Sequence, residues 1–513
     1  MIYFLLVDRF ANGDPTNDLG VDPADPQAFH GGDLAGLTRH VDELAALGVD
    51  TLWLGPIAKM RDTKFYENGA FHGYWTEDLD RLEPRFGNDA DLGHLVDALH
   101  HRKIGLVLDM VYNHVAPDHA WVAARPTWFH HFGPIVHWDD PDEVRTHDVH
   151  GLPDLDQGNP EVYAWLRDAS YHWLHKAQPV AFRLDAVRHL DPEFVAKIAK
   201  DVHAHAPGSF QLWGEVFDGN VKTVMDERAA DHLDSAFDFP LHYALRDVVC
   251  DDKPAAAIPA VIDRSAGLPG DAWITFLDNH DTSRITTACH DDAARVDLAL
   301  ELLFALRGRP MITWGTEWGA TGAGEPDNRA DMRWVAGSPE EESAWRARTT
   351  LIRNLALTRK TTPALRDGAS RTLGLGDDWF VVERHSATDT RWVTYNGGDG
   401  PVGFLGLTLA PHSVSVEKPT GEAPKLRAGW TKVTVPNPPP LAPGDTLRLV
   451  GSTAALGDWS PAAAPVVPGR VKLGADAELY KLAITHADGS VSWAPGGNLW
   501  SLGAPKALEV KWE

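Results

Sequence analysis

The chain has almost no cysteine, no run of basic residues and no long apolar stretch, and each scarcity removes a class of protein. Two cysteines in 513 residues, Cys250 and Cys289, cannot build a disulfide framework. Neither sits in a Cys-x-x-Cys or Cys/His metal spacing, so both are expected as buried free thiols. At a formal net charge of −26 the chain lacks the clustered Lys and Arg that nucleic acid or an anionic membrane surface requires, so neither is expected as a partner. No segment reaches the roughly 18 apolar residues of a membrane span. The opening MIYFLLV is too short for a signal-peptide core and has no basic leader, so it reads as a first strand. A chain that starts inside its first strand is expected to have lost a leader, and the expected location is secreted.

What is abundant is tryptophan, with 20 residues. Indole offers a flat apolar face and one donor, a shape that packs on a sugar ring, although many of these residues must simply fill cores. The length allows about three domains of ~150 residues, or one α/β barrel of ~250 with smaller companions.

From residue 1 to about 335, short apolar runs alternate with amphipathic stretches, the pattern of repeated βα units. Strands are predicted at Ile2–Val7, Thr51–Leu54, Gly105–Met110, Ala181–Leu184, Phe210–Trp213, Trp273–Leu277 and Met311–Thr313, with a weaker one near Ser235–Phe237. Such a set fits a closed (β/α)8 TIM barrel. Helices are predicted at Leu37–Leu47, Leu92–Leu99, Pro192–Val202 and Ala344–Leu357. Residues 115–157 are rich in His, Pro, Trp and Asp and far exceed the ~2–6 residues of an ordinary βα loop, which predicts a subdomain inserted after the third strand. The expected order is a barrel of 1–114 and 158–343, an insertion of 115–157, an all-β domain of 344–430 and a β-sandwich module of 431–513. The stretch VPNPPPLAPGD at 435–445 reads as a hinge before that module.

Polar residues gather where the predicted strands end, which is where a barrel carries its active site. LVLDMVYNHV supplies Asp109, Asn113 and His114; AFRLDAVRHL supplies Arg183, Asp185, Arg188 and His189; LWGEVFDG supplies Glu215; FLDNHDTSR supplies His280 and Asp281. These residue types suit cleavage of an acetal with retention, which needs one ionised carboxylate as nucleophile and one protonated carboxyl as acid ~5–5.5 Å apart. Arg183 lies two residues along the same strand from Asp185, reaches the same face and favours the charged carboxylate. Glu215, between Trp213 and Phe217, is placed where poor solvation retains a proton near neutrality.

These four segments resemble the signature regions of the α-amylase family, in order and at family-like spacing. VDTLWLGPI at 49–57, FHGYW at 71–75, LPDLD at 152–156 and GRPMITWGTEWG at 308–319 extend the resemblance. It implies Asp185 as nucleophile, Glu215 as general acid/base and Asp281 as the third carboxylate. Arg183, His72, Tyr74, His114 and His280 are implied to hold the sugar at the scissile bond, and Glu325 and Arg329 the next sugar outward. Asn113, Asp154 and the carbonyl of His189 are implied as Ca2+ ligands, with Asp139, Asp140 and Asp142 as candidates for a fourth. Oxygen donors suit that hard cation. The histidines of the insertion (His119, His130, His131, His137, His147, His150) show no i, i+4 pair with a supporting carboxylate, so zinc is not favoured. The family often has Lys where Arg188 stands, on the acceptor side.

The C-terminus resembles a family-20 starch-binding module through LRLVGSTAALGDW, ELYKL and GSVSWAPGGN. Trp459 and Trp493 are implied to clamp a glucan with Lys481 and Asn498 as hydrogen-bonding partners, and Ala494 stands where a glutamate is usual. The resemblance implies an endo-acting α-1,4-glucan hydrolase, an α-amylase or a maltooligosaccharide-forming relative, working as a monomer on starch and maltooligosaccharides. Two alternatives differ in class. A transglycosylase such as a cyclodextrin glucanotransferase shares the trio but usually carries an extra β domain and Lys at the position of Arg188. A silent binding scaffold would lack at least one carboxylate, and all three are present.

Overall fold

The structure, a computed structural model, describes residues 1–512. Its first feature is a closed barrel of eight parallel strands: β1 (Ile2–Leu5), β2 (Thr51–Leu54), β3 (Gly105–Met110), β4 (Ala181–Leu184), β5 (Gln211–Gly214), β6 (Ser235–Phe237), β7 (Trp273–Phe276) and β8 (Arg309–Thr313). All residues of β2, β4, β6 and β7 are buried, as the apolar runs require of strands covered on both faces. Closure comes from β1, which pairs with β2 through Tyr3 opposite Leu52 and with β8 through Tyr3 opposite Ile312. The register of β3 and β4 sets Asp109 opposite Arg183, and that of β4 and β5 sets Arg183 opposite Trp213. Asp185 and Glu215 therefore lie two residues beyond this pair, each directly after the last residue of its strand.

Local chemistry sets the helix ends. Asn88 and Asp91 form a reciprocal capping box on Asp89–Arg102, and Asn159 and Asp191 cap helices that begin at Pro160 and Pro192. The predicted helix Leu37–Leu47 is two, Leu34–Arg39 and Val41–Leu47. His40 leaves helical geometry between them and stacks on Trp334 with ring centroids 3.6 Å apart, a partner far away in sequence. The second of these helices stops at Gly48, whose φ of 101° suits a residue without Cβ. The helix expected at Ala344–Leu357 runs from Pro339 to Thr361.

The insertion after β3 carries short helices at Trp121–Ala124 and Pro141–Thr146 and a small core of Ile135, Val144 and Val149. Its two ends meet where His114 bridges Asp154 and Leu155 N donates to the Asn113 carbonyl at 2.9 Å.

The chain forms two compact units. One comprises Met1–His242, Asp271–Asp297 and Gly308–Thr358, and the other Tyr243–Gly270, Leu298–Arg307 and Arg359–Glu513. In the second, a four-stranded antiparallel sheet (Ala369–Leu375, Trp379–His385, Thr390–Asn396, Ser413–Glu417) buries Leu373, Val381 and Trp392. A two-sheet module follows. Strand Gly429–Thr434 lies between Gly469–Leu473 and Ala507–Glu509, and faces a sheet of Thr446–Gly451, Ala477–Thr485, Val491–Trp493 and Leu499–Leu502 across a core that includes Leu449, Leu482 and Val510. The Pro-rich stretch 435–445 is therefore a loop inside the module rather than a hinge before it, because the strand preceding it already belongs to the module's sheet. The cysteine expectation is also corrected. Cys250 and Cys289 are buried, but neither is a free thiol; both are disulfide-bonded. Pairing depends on proximity created by the fold, which sequence spacing does not reveal.

Asp263, on helix Ala257–Arg264, accepts from Thr372 N at 3.2 Å and from Ala477 N at 2.9 Å, so one buried carboxylate ties the helix to both β layers of the second unit. Arg264 adds an ion pair to Asp458 at 2.7 Å. Replacing Asp263 with Ala leaves two strand N–H groups without their acceptor, at about 1–3 kcal/mol for each buried group. We expect Asp263→Ala to lower stability by at least ~2 kcal/mol in urea titrations followed by tryptophan fluorescence. A loss within ~0.5 kcal/mol, the size of an ordinary surface substitution, would show that the joint contributes nothing.

Candidate active site

At the C-terminal ends of β3, β4 and β5, one guanidinium holds three carboxyl groups. Arg183 Nη1 lies 2.8 Å from Asp109 Oδ1 and 2.7 Å from Asp185 Oδ1, and its Nη2 lies 2.7 Å from Glu215 Oε1. All four side chains are buried. Burial works against the Arg183 charge, yet Asp109 and Glu215 hold the guanidinium well above its ordinary range. Asp109 also accepts from Tyr74 Oη at 2.9 Å and Trp53 Nε1 at 3.2 Å through Oδ2. Burial pushes Asp109 up to about 7, against Arg183 and reinforced by Asp185.

Glu215 is pushed up to about 8 by burial; Arg183 opposes this, and Asp185 and Asp281 add to it. Its Oε2 accepts from Ala186 N at 3.0 Å. Ala186 makes that contact in left-handed geometry at φ 49°, a strained conformation for alanine and one that turns its N–H toward the carboxyl. Burial also opposes the charge on Asp281, but His280, Arg329 and Arg183 hold it below the usual carboxylate range. Arg329 Nη2 is 3.2 Å from Asp281 Oδ1 and its Nη1 is 3.0 Å from Glu325 Oε1, which brings the two outward-sugar candidates together.

The remaining predicted residues gather around this core. His280 stacks on Tyr74 with centroids 5.0 Å apart and places Nε2 3.1 Å from Asp281 Oδ2. Burial pushes His280 down to about 3, so the ring is neutral and donates from Nε2. His72 accepts from Tyr74 N at 3.0 Å, and His114 Nε2 contacts the Tyr74 carbonyl at 3.0 Å; burial lowers both histidines. Arg188 pairs with Asp218 at 3.2 Å beside exposed Phe217. The cleft above them has a volume of about 640 Å³, within the range of a small-ligand site.

Asn113, Asp154 and the His189 carbonyl also converge. With its nitrogen turned toward them, the Asn113 amide donates to His189 O at 2.8 Å and to Asp154 Oδ1 at 3.2 Å. With its oxygen turned toward them, three oxygens would meet with no hydrogen between them, a donor set of the kind a hard cation takes. Asp154, which burial raises to about 7 against His130, also accepts from His130 Nδ1 at 2.5 Å. Of the fourth-ligand candidates, Asp140 caps helix Pro141–Thr146 and all three are exposed.

The sequence reading assigned no part to Asp109, although it named the residue. It also missed Trp138, which reaches the cleft from the insertion beside His150, one of the histidines already named there, and Asn328, whose Nδ2 donates to the His280 carbonyl at 2.9 Å. The signal for Asp109 was its place at a strand end opposite Arg183. Trp138 had none, because the insertion lacks periodicity. In the C-terminal module, Trp493 lies opposite Ala483 and is 42% exposed, while Trp459 packs on Val450, Ala464 and Ala483. Lys481 Nζ donates to the Gly496 carbonyl at 2.5 Å, and Asn498 immediately precedes strand Leu499–Leu502.

The model of the alpha-amylase catalytic domain matches residues 4–131 and 122–352, two overlapping segments that run from within β1 past the end of β8. The chain belongs to the α-amylase family. A cyclomaltodextrin glucanotransferase of Klebsiella oxytoca is 28% identical over 97% of this family member and 91% of the relative. An alpha-amylase of Streptomyces lividans is 26% identical over 92% of this chain and 63% of its own length. Among solved structures, the alpha-amylase of Geobacillus thermoleovorans complexed with acarbose matches with a TM-score of 0.70 at 29% identity, covering 93% of this chain and 95% of that one. A cyclomaltodextrin glucanotransferase described as having a three-domain ABC distribution matches with a TM-score of 0.73 at 27% identity, covering 81% of this chain and 98% of that one. Lack of an extra β domain therefore does not separate hydrolases from transferases here. The chain is a family glycosidase acting on α-glucans.

Arg183 gives a pH-dependent expectation. Without it, Asp109 and Glu215 have no counter-charge and their folded pKa values rise further above the unfolded ones. The stability such groups allow is fully present below the unfolded carboxyl range and is lost as pH rises through the folded values. Arg183→Gln should therefore lie about 3–5 kcal/mol below the parent at pH 8, with the gap narrowing toward pH 5 in parallel urea titrations. A gap independent of pH would mean that only packing was lost.

Proposed function

We propose that this protein hydrolyses α-1,4-glucosidic bonds of starch and maltooligosaccharides with retention, endo-acting, as an α-amylase. The observation that carries the reading is the Arg183 fork, which holds Asp185 and Glu215 on its two nitrogens at equal distances of 2.7 Å. Asp185 Oδ1 is engaged by Arg183, leaving Oδ2 to attack C1 as Glu215 gives its proton to the leaving 4-oxygen. The resulting glycosyl ester on Asp185 is then opened by water, which surrenders a proton to the Glu215 carboxylate. Asp281, kept charged by Arg329 and His280, accepts hydroxyls of the sugar at the scissile bond. His114 and His280 line the cleft beside Asp185 and Asp281, where their rings flank the sugar at the scissile bond.

A second reading, transfer to a sugar acceptor, is favoured by the near full-length similarity to the Klebsiella oxytoca enzyme. It uses the same residues, with an acceptor hydroxyl in place of water. Hydrolysis predicts linear maltooligosaccharides from soluble starch by chromatography; cyclic products dominating from the start would establish transfer. Asp185→Asn and Glu215→Gln should each reduce kcat by at least ~10³-fold. Since Glu215 must be protonated to act as acid and is raised to about 8, kcat/KM should fall as pH rises through that value. A basic limb that survives unchanged in a slow Glu215→Gln variant would assign it to another group.

The cation reading belongs to the same proposal. Asn113 Oδ1, Asp154 Oδ1 and the His189 carbonyl would hold Ca2+, whose contribution there is to crosslink the insertion to the ends of β3 and β4. Binding to the folded state alone stabilises it by mass action. Chelator should lower the melting temperature and added calcium restore it, with Asp154→Ala blunting both effects; an unchanged melt in metal-free protein would remove the cation. The C-terminal sheets act in this reading as a starch-binding module, supported by the two indoles flanking Ala483 and by Lys481 on the same strand. Secretion is supported by the absence of a free thiol, since disulfides persist in oxidising compartments.

A further inference from the structure

The three-stranded sheet of the C-terminal module has an inner and an outer face. Along Gly429–Thr434 and Gly469–Leu473, Thr431, Val433, Val471 and Leu473 point inward and are buried, which sends Trp430, Lys432, Arg470 and Lys472 outward. The register sets Trp430 opposite Lys472 and Lys432 opposite Arg470. Lys506 enters beside them, its carbonyl accepting from Lys432 N at 3.2 Å. Among the described residues none of these four cations forms an ion pair with a carboxylate, and the acidic residue on this face, Glu509, stands opposite Thr434. Trp430 is 59% exposed, more than Trp493 of the implied glucan clamp at 42%. The Arg470 guanidinium lies 5.8 Å from its ring centroid.

Like charges placed directly opposite on a sheet are destabilising. Here they occur in a chain with 73 acidic residues against 47 basic ones, where carboxylates to pair them are plentiful. No carboxylate stands opposite Lys432 or Arg470 on the neighbouring strand to offset that cost. The cluster borders a shallow concavity of about 560 Å³ lined by Trp430, Lys432, Pro468, Arg470 and Lys506, large enough for a ligand of a few sugar units. We propose that this face is a second binding site, separate from Trp459 and Trp493, for α-glucan carrying phosphate esters: the indole packs on a sugar ring while Lys432, Arg470 and Lys506 take the phosphate oxygens. A dianion between these cations removes their mutual repulsion and gains charge-assisted hydrogen bonds. A single-stranded oligonucleotide has both a stacking surface and phosphates, but a net charge of −26 opposes a long polyanion. The proposal rests on the α-glucan reading above.

The experiment measures adsorption of the whole protein to a phosphorylated starch and to the same starch after phosphatase treatment, in a Trp459→Ala, Trp493→Ala background that silences the other clamp. The expected result is adsorption at least ~5-fold tighter on the phosphorylated material at low salt, fading above about 0.5 M salt as screening sets in. Lys432→Gln with Arg470→Gln should erase that preference, and Trp430→Ala should weaken adsorption to both materials. Lys506→Gln serves as the second variant if the pair lowers the melting temperature. Equal adsorption to both starches, a preference that survives in the variants, or competition by oligothymidylate or phosphate-free polygalacturonate as strong as that of phosphorylated maltooligosaccharide would overturn it. Hydrolysis of maltoheptaose by the unaltered protein is assayed alongside. Turnover without a phosphate preference sinks this inference alone, whereas absence of turnover sinks the enzymatic reading and leaves the adsorption data to decide this one.

Discussion

The ends of three barrel strands can carry three buried carboxyl groups only because one guanidinium lies among them. Two nitrogens of Arg183 contact Asp109, Asp185 and Glu215 within 2.8 Å, and the planar fork fixes direction as well as charge. Lysine, as a point charge, could not face two carboxyls at two separate nitrogens. The arrangement also divides the labour among similar groups. Glu215 receives only part of the guanidinium and remains raised, whereas Asp281, further supported by Arg329 and His280, remains low. Different surroundings thus separate an acid from a permanently charged group.

Strands were legible because each is buried on both faces and so is written as an apolar run with a polar terminus, a local property. The candidate catalytic residues were legible for the same reason: Asp185, Glu215 and Asp281 stand at such termini. What sequence concealed depended on pairing at a distance. His40 breaks a helix through a ring contributed by Trp334, and the segment 435–445 is a loop because Gly429–Thr434 finds Ala507–Glu509. The bonded state of Cys250 and Cys289 is of the same kind. Asp263 looked like one acidic residue on an amphipathic helix; its importance lies in accepting from Thr372 and Ala477, neither of them near it in sequence.

Asn113 links the chemistry of the strand ends to the insertion. Its backbone carbonyl receives Leu155 N, and its side chain faces His189 O and Asp154 Oδ1, so the exit of the insertion, the end of β3 and the turn after β4 share one polar centre. The same turn contains Ala186, whose N–H reaches Glu215. The polar centre at Asn113 and the Glu215 carboxyl are thus separated by a few residues of backbone.

Barrel closure through β1 also constrains how the chain is made. Ile2 pairs with Thr51 early but meets Met311 only after most of the barrel has been synthesised. At ~5–20 residues per second, one edge of β1 waits on the order of tens of seconds for its second neighbour. The module repeats the pattern on a smaller scale, since Gly429–Thr434 needs Ala507–Glu509, which leave the ribosome well after it. Both layers are therefore finished from their far ends, and during synthesis the growing chain must carry two open strand edges that the completed protein no longer exposes in the same way.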